Sequence, residues 1–97
     1  MRAILTLAAR RDIEAAAEWY ENQREGLGLE FTDRVLEAIE AIERNPFGYA
    51  KVIGDARRAV LAQFPYALWF KIEKDAIVIA CLHHKRDTGW RASARQG

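Results

Sequence analysis

Two adjacent histidines, His83 and His84, followed at once by Lys85 and Arg86, are the residues of this sequence best suited to acid–base chemistry. Imidazole exchanges protons near neutral pH. Cleavage of a ribose phosphodiester would need one such group as base for the 2′-hydroxyl and another as acid for the leaving oxygen. Cations would have to steady the charge gathering on phosphorus, and Lys85, Arg86 and Arg57 or Arg58 could supply them. The spacing argues against the pair, however. Both histidines read as the end of a strand, where neighbours point to opposite faces of a sheet. One is therefore expected to pack or hydrogen-bond at the strand end. Arg57 and Arg58 are adjacent in the same way, one towards a covered face and the other towards an open one. Their guanidinium forks match carboxylate or phosphate, and an ordinary salt bridge would serve them equally well.

Other chemistries find little support. Two neighbouring histidines and the single cysteine, Cys81, give the wrong geometry for tetrahedral metal ligation, so no metal site is expected. No Gly-rich phosphate loop is present and no cofactor is expected. One cysteine cannot form an internal disulfide, and inside an apolar run Cys81 reads as a small core residue. No apolar stretch approaches the ~20 residues of a membrane span, and Arg10 and Arg11 interrupt the start too early for a signal peptide. A cytoplasmic protein is expected. The net charge of +1 sets no strong electrostatic field, although the end from about residue 85 is basic, with Lys85, Arg86, Arg91 and Arg95 against Asp87.

The elements that must position these residues can be read from periodicity. Ala3 to Leu5 forms a short opening strand, and Thr6 is placed to cap a helix running to about Arg24. Ile13, Ala16, Ala17 and Tyr20 recur at helical spacing. Gly26 and Gly28 are expected to end that helix and open a tight turn. A second helix follows, with Phe31, Val35, Ala38, Ile39 and Ile42 on one stripe and Glu30 and Arg34 a turn apart on the polar side. Asn45-Pro46 stops it, and the two helices form an antiparallel hairpin. A loop is expected from Phe47 to Asp55. Beyond it the period changes to two: a strand from Arg57 to Ala62, a turn or bulge at Phe64-Pro65-Tyr66, and a second strand from Ala67 to Ile72. A polar loop, Glu73-Lys74-Asp75, leads into a third strand from Ala76 to about His83. That strand is nearly all apolar and should be central. The 97 residues make one α+β domain of order β-α-α-β-β-β, the helix hairpin on one face of a small, mainly antiparallel sheet.

In this order the sequence resembles the ParE/RelE superfamily of bacterial toxins. The resemblance rests on Asp12-Ile13 with Trp19-Tyr20, Gly26-Leu27-Gly28 before Phe31, Asn45-Pro46, Arg57-Arg58 leading to Phe64-Pro65-Tyr66, and His84-Lys85-Arg86-Asp87 with Trp90. Leu7 and Thr88-Gly89 depart from prolines common in the family. Membership implies the toxin of a type II toxin–antitoxin pair, bound by a ParD-like or similar antitoxin in a hetero-oligomeric complex. ParE-like members are implied to poison DNA gyrase without catalysis, and RelE-like members to cut mRNA on the ribosome. The near-neutral charge, the Phe64-Pro65-Tyr66 turn and the segment from His84 to Trp90 favour the gyrase branch. Its target-binding candidates are Arg58, Tyr66, Arg86, Trp90 and Arg91, exposed cations and aromatic anchors of the kind enriched at binding hot spots. On the nuclease alternative the catalytic candidates are His83, His84, Arg58 and Arg86; a member that only binds its antitoxin is a third possibility. An open sheet face bearing Trp69, Phe70 and Leu61 is expected to be left for the antitoxin to cover.

Overall fold

The computed structural model describes residues 1–86. Strand β1 (Ala3–Leu5) passes directly into helix α1 (Leu7–Gln23), where Thr6 Oγ1 accepts from the Ala9 amide at 3.1 Å as the N-cap. Helix α2 (Leu27–Arg44) returns alongside it and ends at Asn45, whose amide donates to the Ala41 carbonyl before a short 3-10 turn at Pro46–Gly48. Gly26 forms the turn between the helices, at φ +89°, a conformation that suits a residue without Cβ. Gly28 does something else. It lies inside α2, where an added Cβ would sit 2.6 Å from the Ala17 carbonyl oxygen, so its smallness lets the two helix backbones close up. Of the two charges a turn apart on the polar side of α2, Glu30 takes Arg24 at 3.0 Å across the turn, and Arg34 takes Glu37 at 2.8 Å.

Five strands follow the order β1-β5-β4-β3-β2. Strand β2 (Lys51–Ile53) lies in what the sequence reads as a loop. It is only three residues long and does not alternate, but Gly54-Asp55 joins it to β3 (Ala56–Val60) as a two-residue hairpin with Gly54 at φ +55°. Strands β3, β4 (Tyr66–Ile72) and β5 (Ala76–His83) form the antiparallel meander, and β1 pairs with β5 in parallel. The apolar β5 thus lies between β1 and β4, one place from the middle strand β4 that the sheet centres on, and is buried along most of its length. A register shift between Trp69 and Phe70 leaves Ile79 as the extra residue of a bulge in β5.

The helix stripe of Phe31, Val35 and Ile42 packs with Leu61, Phe64, Leu68, Phe70 and Val78 in one core between the layers. Tyr20, Phe31, Phe64 and Tyr66 form a ring cluster there, with centroids 4.8–6.0 Å apart. The sheet's other face is not bare. Ala56, Trp69, Ile79, Ala80 and Leu82 make a second buried cluster, and Arg58, the cross-strand partner of Trp69, lays its guanidinium carbon 5.8 Å from that ring. Trp69 and Phe70 are 0% exposed and Leu61 4%, which overturns the expectation of an uncovered apolar face carrying those residues. Phe70 and Leu61 belong to the helix-side core, and Trp69 belongs to the second buried cluster. Among the described residues the exposed large apolar side chains are instead Met1, Leu7, Trp19, Leu29, Leu36, Phe47, Val52 and Val60. No helix among the described residues is long and apolar enough to cross a membrane.

Candidate functional site

Where β1 ends at Leu5, the adjoining half of β5 loses its strand neighbour, and α1 crosses the gap. The Cys81 amide there donates to Asp12 Oδ2 at 3.0 Å, a contact spanning 69 positions of sequence. The carboxylate thus replaces a strand carbonyl at the edge of β5. Asp12, Ala16 and Trp19, spaced by four and three residues, line one side of the resulting groove. Tyr66 and His83, direct partners in the β4–β5 register, line the other with rings 5.1 Å apart. Lys85 and Arg86 close the end. The groove has two connected parts of ≈ 230 and ≈ 370 Å³ that share Trp19, Tyr66, His83 and Arg86.

The electrostatics describe a surface for recognition more than a nucleophile. Burial pushes the Tyr66 phenol above its ordinary value, reinforced by Tyr20 and Cys81 and opposed by Arg86. Burial raises Tyr20 as well. The Cys81 thiol is pushed up to about 12, first by burial and then by the neighbouring Asp12. At neutral pH all three are therefore protonated. His83 Nδ1 accepts from the Lys85 amide at 3.0 Å, so a neutral His83 ring carries its proton on Nε2 and offers a donor, not a base, at that atom.

Of the residues singled out in the sequence, Tyr66, His83 and Arg86 come together here. His84 does not occupy a strand: β5 ends at His83, and His84 opens a 3-10 turn at His84–Arg86, its amide held by the Pro65 carbonyl at 2.8 Å. Strand alternation therefore does not set the two imidazoles on opposite faces; their centroids are 6.5 Å apart. Arg57 and Arg58 do diverge as expected. Arg58 lies over Trp69 on the face away from the helices and does not line the groove, and Arg57 donates to the Tyr49 carbonyl. Trp90 and Arg91 lie outside the described residues. Asp12 and Trp19 were not identified as site residues from sequence. Their spacing of seven on a helix puts them on one face, but the stripe of Ile13, Ala16, Ala17 and Tyr20 dominates the pattern. Among the described residues no three His, Cys, Asp or Glu side chains converge as metal ligands would.

Comparison with known proteins adds the family. The model of the ParE toxin of the type II toxin–antitoxin system parDE matches residues 3–88. Among solved structures, a chain described as the chromosomal ParDE toxin–antitoxin system from P. aeruginosa superposes with a TM-score of 0.77 at 16% identity, covering 86% of this chain and 95% of the other. That likeness concerns the fold. No curated protein sequence matches significantly.

Proposed function

Since this chain belongs to the ParE toxin family of type II toxin–antitoxin systems, we propose that it stops growth by inhibiting DNA gyrase and is silenced by a ParD-like antitoxin in a hetero-oligomeric cytoplasmic complex. The observation that carries this reading is the extent of the family match, which runs through both helices and all five strands. A protein target suits the groove. Trp19, 56% exposed, and the half-buried Tyr66 offer aromatic anchors beside the cations Lys85 and Arg86, a combination common at protein–protein hot spots. Tyr66 and Arg86 are the proposed contacts in the groove, with Trp90 and Arg91 following in the sequence. Arg58 would belong to a separate contact on the opposite face.

The nuclease alternative meets a geometric obstacle. Of its four candidates, Arg58 is on a different face of the sheet from His83, although Arg86 shares the groove with His83, and His83 Nδ1 already accepts a backbone hydrogen bond. The discriminating experiment is induced expression of a His83→Ala/His84→Ala double variant in a bacterial host. Growth arrest accompanied by a DNA-damage response and intact mRNA is expected in the wild type and in the double variant, weakened at most by the loss of the His83 ring from the groove wall. Cut mRNA in cells expressing the wild type, lost together with toxicity in a folded double variant, would move the protein to the mRNA-cleaving branch. A harmless wild-type chain would leave only antitoxin binding.

A further inference from the structure

Among the described residues Arg57 is a cation without a carboxylate partner. It sits in β3 opposite Lys51 of β2 and Phe70 of β4, half-buried on the helix side of the sheet. Its Nη1 donates to the Tyr49 carbonyl, its guanidinium carbon lies 5.4 Å from the Phe47 ring centroid, and its buried Nε has no hydrogen-bond partner. Among the described residues no acidic group comes within ion-pair distance of it. A charge drawn out of water with only neutral partners is poorly compensated. Lys51 differs, being paired with Asp55 at 3.5 Å. Phe47, Lys51, Asp55, Arg57 and Ile72 line an open pocket of ≈ 350 Å³ beside the sheet's terminal strand, within the range of about 300–1,000 Å³ typical of ligand-holding clefts. Phe47 forms part of its wall and is 65% exposed, an aromatic surface left in water next to the unpaired cation.

We propose that this pocket is a docking site for an acidic, aromatic-bearing segment of a partner protein, with a carboxylate on Arg57 and an apolar side chain against Phe47. Charge selects the occupant. With Lys51 and Asp55 neutralising each other, the remaining charge of the pocket is Arg57, which a carboxylate would meet with charge-assisted hydrogen bonds. A basic segment would add like charge to the same half-buried place. The site is separate from the groove at Tyr66 and Arg86 and does not depend on gyrase being the toxin's target.

The test is a titration of the full-length 15N-labelled chain, following the Arg57 Nε–Hε resonance. The probes are a short acetylated peptide with one Phe set among Glu residues and its counterpart with Lys for Glu. The Glu peptide should shift the Arg57 resonance saturably and the Lys peptide should not. R57Q and F47S should each weaken binding about tenfold or more, whereas R58Q, on the other face, should leave it unchanged. Because Arg57 also ties down the Tyr49 carbonyl, F47S is the safer variant: that ring is mostly in water and its loss spares the core. The proposal is overturned if the Glu peptide gives no saturable shift, if the Lys peptide binds equally well, or if F47S binds like wild type. A shift of the same size with inorganic phosphate alone would also overturn it.

Discussion

Asp12 and Cys81 show how single side chains can hold two layers together. The Asp12 carboxylate takes the backbone amide left over where β1 stops, and D12A would bury that amide without a partner. A loss of about 1–3 kcal/mol is expected, read as a lower urea midpoint. The thiol one atom group away gives a pH prediction. Its folded pKa of about 12 lies above the ordinary 9.0, so the protonated thiol contributes fully below about pH 9 and that contribution disappears as pH rises through the alkaline range. Stability should accordingly fall above pH 9 in the wild type and fall less in C81A, while at pH 8 a thiol reagent should label Cys81 only as fast as the protein opens. A labelling rate in native buffer equal to that in denaturant would refute the burial. At this scale the sequence was only partly readable. Cys81 as a core residue and Thr6 as a cap followed from local pattern, but the partner of Asp12 lies 69 residues away and leaves no local trace.

The helix hairpin depends on two glycines with different duties. Gly26 holds the left-handed turn with open space around it, and its amide and that of Gly28 both donate to the Glu21 carboxylate, which lowers the Glu21 pKa. That contribution is present above the ordinary carboxylate range and is lost as pH falls through the depressed value. Gly28 lets α1 approach. G26N should therefore be nearly neutral, since Asn tolerates the left-handed region. G28A should lose about 1–3 kcal/mol, because a methyl group would press on the Ala17 backbone oxygen. Chemical denaturation of the two variants tests this, and equal losses would contradict the assignment. The sequence offered both glycines as turn residues, since spacing cannot distinguish a φ requirement from a close approach. It offered β5 correctly as buried on both faces, because a nearly unbroken apolar strand has no solvent face, but the middle of the sheet is β4. Strand β2 was hidden by its length, although Gly54-Asp55 was a hairpin signal in plain view.

For the molecule as a whole, the ring cluster of Tyr20, Phe31, Phe64 and Tyr66 joins the helices to the sheet directly behind the groove. Removing Phe31, which is 0% exposed, should cost about 3–5 kcal/mol and disturb the groove together with the core, measurable as a lower melting temperature. The fold class was legible throughout, because the change of period from 3.6 to 2 after Pro46 fixes helices before strands. The covering of the sheet was not: alternation shows which residues share a face, but not that Trp69 is buried there in a cluster with Leu82, Ile79 and Ala56. The candidate site was half legible. Tyr66, His83 and Arg86 stood out as residue types, whereas the groove exists only because a helix bridges the end of a three-residue strand.

Gyrase inhibition is tested most directly by adding the purified chain to purified DNA gyrase, with supercoiling and DNA cleavage followed beside a translation reaction that monitors mRNA integrity. The account predicts blocked supercoiling with trapped cleavage complexes and intact mRNA. Normal supercoiling with cut mRNA would contradict it.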